Sequence, residues 1–286
     1  MKIKDHLRVE MSWWGMNGLQ GTAGHGAAIE EKFKLIAMNG FDGINAFVPA
    51  PEECGLWKEL LHQYGLSFSV NAYPTTLVEM SDFLDRAAAF GQIDYINAQV
   101  LKPFLTGDSA VELLSGIDAL SRQAGIPVYV ETHRGTITQD LIRTQQFIQA
   151  LPKLKLTIDY SHYVVAGELH TVSPEAEQML QSLLPNAYSI HTRISNGEQI
   201  QIDPGETGHH PMLPHFARWW ESAMRHWRSS PRQEGETFPV VIELGPPPYA
   251  ITEGGAGFRQ SEISDRWSQS LYLKQLVQQL WQKACL

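Results

Sequence analysis

Two rhythms of apolar and polar positions alternate along this chain. Short apolar runs suited to buried strands occur at about 7–14, 41–48, 66–73, 93–101, 126–133, 155–165, 187–194 and 238–244. Between them apolar side chains recur every three or four residues, as in Ile29, Phe33, Ile36 and Ala37, or Val111, Leu114, Ile117 and Leu120. That spacing lines one face of a helix. Gly40, Gly65, Gly91 and Gly125 close such stretches just before the next strand, where a left-handed C-cap belongs. Ser173-Pro174-Glu175 reads as an N-cap, a first-turn proline and an early acid.

Eight strands, each followed by a helix in units of roughly 25–35 residues, predict an α/β chain folded as a single (β/α)8 barrel. No linker interrupts the alternation, so residues 1–286 are read as one domain. An open doubly wound sheet is the alternative. It would carry a glycine-rich phosphate turn after its first strand, and GMNGLQGTAGHG (15–26) has no clean GxGxxG leading into a helix. Two long loops stand out, 195–213 and the Pro- and Gly-rich 245–261. Both follow strands, on the side of a barrel where chemistry sits.

Four side chains occupy equivalent places in successive units: Glu131 in IPVYVETH, Asp159 in LKLTIDYSH, His191 in AYSIHTR and Glu243 in PVVIELG. The intervals are 28, 32 and 52 residues, the last lengthened by the first long loop and the Trp-rich stretch 214–228. Strand alternation puts Tyr129, Glu131 and His133 on one face of strand five, and likewise Ser189, His191 and Arg193 on one face of strand seven. Any one of these acids alone is as well read as an ion-pair partner or helix cap. Four converging at one mouth are not. Three carboxylates crowded together repel, and a divalent cation offsets that. The donors are oxygen-rich with one imidazole, which suits Mn²⁺ first, then Mg²⁺ or Co²⁺, with Zn²⁺ as a further option.

Composition narrows the partners. With 22 basic and 31 acidic residues the net charge is −9, and no Lys/Arg-rich run appears, which argues against nucleic acid. No apolar run reaches about 18 residues, so no membrane span is expected. The first residues lack the apolar core of a signal peptide. Cys54 and Cys285 have no CxxC spacing and build neither a zinc knuckle nor a disulfide framework. A cytoplasmic protein acting on a small molecule is the expectation, with homo-oligomer formation left open.

These motifs resemble the xylose isomerase-like TIM-barrel superfamily of sugar isomerases and epimerases, which includes inosose and dehydroshikimate dehydratases and the family 2 AP endonucleases such as endonuclease IV. Glu131-x-His133 resembles the family's strand-five E-x-H, Asp159-x-x-His162 its strand-six D-x-x-H, and His191 and Glu243 its later ligands. DPGETG (203–208) is similar to its short loop after strand seven. The resemblance implies one Mn²⁺-like ion on Glu131, Asp159, His191 and Glu243, holding adjacent substrate oxygens. It also implies that Glu131 and Glu243 act as acid and base on opposite faces of the reacting carbon, with His162 and Arg193 near the substrate oxygens. Arg193 stands only two residues past His191, nearer than the arginine many epimerases carry.

Chemically, a proton on carbon beside a carbonyl is weakly acidic, and the enediolate left behind carries its charge on oxygen. A chelating cation stabilises that charge, and a carboxylate removes the proton. The leading expectation is an isomerase or epimerase of a small polyhydroxy carbonyl compound. A keto-polyol dehydratase is the second, since HRGT (133–136) resembles that branch. An endonuclease IV-like enzyme would need further His and Glu ligands on the early strands, which end in Asn45, Asn71, Asn97 and Gln99. A non-catalytic sugar-binding barrel is the remaining reading.

Further candidates are weaker. Trp13 and Trp14 end strand one, and one of them should face the mouth, with bottom-of-barrel or helix packing as the equal alternative; Trp13 is placed among the substrate contacts. His133 serves as a substrate contact or an orienter of Glu131. Lys102 could meet an anionic group, or simply be solvated. The pair His209-His210 is read as solvent-facing before it is read as a second metal site. Gly254–Gly257 with Arg259 is read as a flexible lid, with phosphate binding as the alternative. The tryptophans 219, 220 and 227 are read as core.

Overall fold

The computed structural model describes residues 6–19, 29–205, 207–231, 234–253 and 261–285. Eight parallel strands close into a barrel in sequence order. They are β1 (Leu7–Ser12), β2 (Gly43–Ala46), β3 (Ser67–Ala72), β4 (Tyr95–Ala98), β5 (Val128–Glu131), β6 (Leu156–Ile158), β7 (Ala187–Thr192) and β8 (Phe238–Ile242). Closure is made by β1 against β8, in register from Leu7↔Phe238 to Met11↔Ile242. The helices α1 (Ile29–Met38), α2 (Cys54–Tyr64), α3 (Leu77–Phe90), α4 (Gly107–Ala124) and α5 (Leu141–Ala150) follow the first five strands. Two helices, α6 (Tyr160–Ala166) and α7 (Pro174–Ser182), follow β6, then α8 (Leu213–Ser229) and α9 (Arg266–Lys283) complete the ring. The expected single (β/α)8 barrel is what forms.

Local chemistry explains the boundaries. Gly65 and Gly125 take the left-handed conformation that ends α2 and α4, as read from sequence. Gly91 departs: its φ is +67° but its ψ is extended, so it turns the chain without a left-handed cap. Ser173 caps α7 through Ala176 N–H with Pro174 in the first turn. The apolar run 155–165 is not one strand. It breaks after Ile158 because Asp159 caps α6, and the rest of the run is helix.

Strand alternation sorts the two faces in an unusual way. Val9, Met11, Ile44, Phe68, Val70, Ile96, Val130, Ile158, Ile190, Val240 and Ile242 form part of the main apolar core together with helix residues such as Phe33, Trp219, Trp220 and Trp227. The three tryptophans of α8 are therefore core. Most of the intervening positions are polar yet buried: Glu10, Ser12, Asn45, Ser69, Asn71, Asn97, Glu131, Thr157, Ser189 and His191. The barrel interior is thus a largely polar column, where bulky aliphatic layers are the common filling.

Glu10 lies at the lower end of this column, accepting hydrogen bonds from Ser69 Oγ at 2.5 Å and Tyr95 OH at 3.2 Å. Burial, opposed by the Ser69 hydrogen bond and reinforced by Asp94, pushes its carboxyl up to about 8. In the unfolded chain the same group ionises near 4.5. Between those values the folded state holds a proton that the unfolded state has released. Stability from this group is therefore greatest below the lower value and falls as pH rises through the upper one. Glu10→Gln should remove that loss. Urea unfolding at pH 5 and pH 8 should show the variant gaining on wild type by roughly 3–5 kcal/mol across the interval. A pH-independent difference between the two proteins would contradict the assignment.

Candidate metal centre

The second half of the barrel delivers four candidate ligands to one point. Glu131 is the last residue of β5 and His191 lies within β7, while Asp159 and Glu243 directly follow β6 and β8. One donor atom from each lies within 4.8 Å of all the others, and all four residues are buried. His191 Nδ1 is 3.1 Å from Glu243 Oε2 and 3.5 Å from Glu131 Oε1. The convergence expected from equivalent strand ends is realised.

Each carboxylate has one oxygen committed to the scaffold or to a neighbouring cation. Asp159 caps α6, its Oδ1 accepting from Ser161 N–H at 2.9 Å and Ser161 Oγ at 2.5 Å, which turns Oδ2 toward the cluster. Glu131 Oε2 accepts from Asn97 Nδ2 at 2.5 Å and Gln99 Nε2 at 2.9 Å. Its Oε1 has no hydrogen-bond partner among the described residues. Arg193 shares the inward face with His191. Its Nη2 lies 2.6 Å from both Asp159 Oδ2 and Glu243 Oε2, so the guanidinium bridges two of the candidate ligands.

Electrostatics follows from this packing. Burial works to lower the His191 pKa, but the Glu243 and Glu131 carboxylates outweigh it and hold the imidazole well above its usual value. Burial likewise opposes Glu131 ionisation, and His191 overrides it, leaving the carboxyl lowered. Arg193 stays charged because Asp159 and Glu243 more than offset its burial. Three carboxylates face one permanent guanidinium, leaving two formal negative charges. One divalent ion with a neutral imidazole balances them; a protonated His191 balances only one. The unpartnered Glu131 Oε1 is that residue's free oxygen for such an ion. The residues present fit a divalent cation.

Above the cluster lies a ring of side chains from the loops. His162, in α6, is fully buried, and neither ring nitrogen has a hydrogen-bond partner among the described residues. Burial first, then His133 and Arg193, push its pKa well below the usual value, so it is neutral. His133 packs against it with ring centroids 3.8 Å apart and the planes tilted by 43°. The Nδ1 of His133 is held by Arg134 O at 2.5 Å, and its Nε2 faces Tyr249 OH at 3.4 Å. Glu131, His133 and His162 also bring donor atoms within 4.8 Å of one another. Tyr249 reaches across from the loop after β8. Its ring packs edge-on against Trp14 at 5.0 Å, with Arg193 at 4.8 Å and Arg134 at 5.1 Å from its centroid.

Several sequence-predicted residues thus meet: Glu131, Asp159, His191 and Glu243, with His162, Arg193 and His133 beside them. Trp13 does not join them. It continues the outward face of Val9 and Met11 and packs on Phe33 of α1 and Trp57 of α2 at 5.7 and 4.7 Å, and a 3₁₀ turn follows at Trp14. Trp14 is the indole on the mouth side, lying so close over Gly245 that a Cβ there would fall 2.0 Å from its ring. His209 is exposed, and His210 Nδ1 accepts from Met212 N–H at 3.1 Å, so His210 caps a turn before α8. Residues Gly254–Gly257 and Arg259 lie outside the described residues. Sequence reasoning missed Tyr249 and Gln201. Gln201 Nε2 donates to Gly245 O at 3.0 Å and its Oε1 accepts from Gly245 N at 2.7 Å, tying the two long loops together. The only signal for either was its place in a long loop.

No family model matches the chain, and no curated protein matches its sequence. Solved structures do. A xylose isomerase-like TIM barrel protein from Mycobacterium smegmatis, in complex with magnesium, aligns over 98% of each chain at 15% identity and a TM-score of 0.59. A probable 3-DHS dehydratase from Bacillus anthracis aligns over 83% of this chain and 93% of its own, at 14% identity and TM-score 0.55. A family 2 AP endonuclease from Brucella melitensis aligns over 84% and 93%, at 15% identity and TM-score 0.54. The chain therefore has the fold of xylose isomerase-like TIM barrels. Among the described residues no helix is long and apolar enough to cross a membrane.

Proposed function

We propose that this chain is a divalent-metal-dependent isomerase or epimerase of a small sugar or related polyhydroxy carbonyl compound. The observation that carries the reading is the convergence of four buried donors, from Glu131, Asp159, His191 and Glu243, within 4.8 Å of one another. Mn²⁺ is the first choice of ion, with Mg²⁺, Co²⁺ or Zn²⁺ as alternatives; one neighbour of the same fold was crystallised with magnesium. When bound, such an ion acts as a Lewis acid on substrate oxygen.

The residues of the chain have separable tasks. Glu131 and Glu243 come from β5 and the end of β8, on different sides of the mouth, and one carboxylate takes a proton from the carbon next to the carbonyl. The other, carrying a proton beforehand, returns it to the opposite face, giving an epimer, or the same base returns its proton to the neighbouring carbon while the hydroxyl proton passes between the two oxygens, giving an isomer. The electron pair moves onto the carbonyl oxygen; in the epimer that carbonyl re-forms, and in the isomer the new carbonyl forms at the carbon that carried the hydroxyl. Arg193 is the counterion of Asp159 and Glu243 and orients both, its Nη2 lying 2.6 Å from an oxygen of each. Neutral His162 offers unpaired ring nitrogens to a substrate hydroxyl. Tyr249 lies over Arg193 and restricts water.

The test is a panel of ketoses, keto-inositols and their phosphate esters, incubated in deuterated water with Mn²⁺-loaded protein. Deuterium should enter the carbon beside the carbonyl of one compound, with a product of unchanged composition. An absorbing enone formed with loss of water would assign the site to a dehydratase instead. Absence of exchange across the panel, from protein shown to hold its metal, would count against the proton-transfer reading.

A further inference from the structure

Three strand ends share one short pattern, Ile44-Asn45-Ala46, Val70-Asn71-Ala72 and Ile96-Asn97-Ala98, with the asparagines 26 residues apart. The apolar residue and the alanine of each triplet face outward into the core. The asparagines face inward, stepping around the barrel on the side opposite β7 and β8, and all three are buried. Closed pairing of β2, β3 and β4 stacks their amides into a ladder.

The ladder has a direction. Asn97 Nδ2 donates to Glu131 Oε2 at 2.5 Å and to Asn71 Oδ1 at 3.0 Å. Asn71 Nδ2 donates to Asn45 Oδ1 at 2.8 Å, and Asn45 Nδ2 to Ser69 Oγ at 2.9 Å. Ser69 Oγ then donates to Glu10 Oε2 at 2.5 Å. A carboxyl group accepts at each end, and Asn97 is the link that donates both ways. Flipping the Asn97 amide would set its carbonyl oxygen against the Glu131 carboxylate and leave Asn71 Oδ1 without a donor. The run of amides therefore resists that flip from both sides.

We propose that Asn97 and Gln99 are positioning residues that pin Glu131 Oε2 and so present Oε1 alone to the cation. Asn71 and Asn45 hold the Asn97 amide in the orientation this requires. The role rests on the metal reading given above. Two donors on one oxygen fix the rotation of the carboxylate before any ion arrives, and hydrogen bonds to an ionised acceptor are the strong kind. Partners that orient a ligand in this way commonly set metal affinity as firmly as the ligands themselves. Gln99 adds to the hold at 2.9 Å from a half-buried position.

The test titrates Mn²⁺ into EDTA-stripped full-length protein, reading free Mn²⁺ by its paramagnetic resonance, alongside thermal unfolding without metal. Asn97→Ala and Gln99→Met should each weaken Mn²⁺ binding about 10–100-fold, whereas Asn45→Ala, two links away, should weaken it by less than about threefold. Asn45→Ala should still lower the unfolding temperature, because it breaks the same buried ladder; a purely structural ladder would move that temperature and leave affinity alone. Wild-type affinity in Asn97→Ala and Gln99→Met, or a loss no larger than in Asn45→Ala, overturns the positioning role. If Asn97→Ala does not fold, Gln99→Met decides alone. A wild type that binds no Mn²⁺ removes the metal reading and this role together, whereas binding that the variants leave unchanged removes this role only.

Discussion

Glu243→Gln should fold and yet turn over its substrate about 10²–10⁴-fold more slowly than wild type, the span general acid–base groups contribute. The amide keeps the shape of the carboxylate and one oxygen for Arg193, whose Nη2 sits 2.6 Å from Glu243 Oε2. It loses the charge that raises His191 and the basicity that proton transfer needs. Glu131→Gln should fall as far, with an added cost. Asn97 and Gln99 both donate to its Oε2, and a side-chain amine turned toward them would meet two donors. Steady-state rates with the compound found by deuterium exchange, together with Mn²⁺ affinity, check both variants. Full turnover by either would remove it from the proton-transfer machinery.

Arg193→Met should be the most destabilising single change at the site in metal-free protein. Its guanidinium is the counterion of both Asp159 and Glu243, and all three side chains are almost wholly buried. Removing one member of such a set leaves uncompensated buried charge, at a cost of about 3–5 kcal/mol. The Tyr249 ring also loses the cation packed 4.8 Å from its centroid. A divalent ion offers replacement positive charge at the same carboxylates. The variant should therefore bind Mn²⁺ more tightly than wild type, and Mn²⁺ should raise its unfolding temperature by more. Thermal unfolding of both proteins in EDTA and in excess Mn²⁺ measures this directly. Equal Mn²⁺ shifts, or an EDTA-treated variant as stable as wild type, would mean Arg193 does not serve as that counterion.

The barrel was legible because eight apolar runs alternate with helical spacing, and the four ligands because each closes one run at an equivalent place. Two misreadings came from continuity. The run 155–165 looks unbroken, yet Asp159 needs its Oδ1 for the N–H and hydroxyl of Ser161, and that cap starts α6 at once. Trp13 looks like a mouth residue because it directly follows β1, yet it continues the outward face of Val9 and Met11 and packs on the helices. Other features depend on contacts far apart in sequence. Arg193 reaches a residue 34 positions back and another 50 positions ahead, and Tyr249 meets His133 across 116. The asparagine triplets were readable as a pattern, but their joint action exists only once the strands close and the amides stack.

The most direct measurement is the divalent-ion content of the chain after loading with Mn²⁺ and desalting. One ion per chain is the expected result, with that ion lost from Asp159→Ala and from His191→Ala. Protein that retains no divalent ion at any loading, or variants that retain it undiminished, would contradict a metal centre at this mouth.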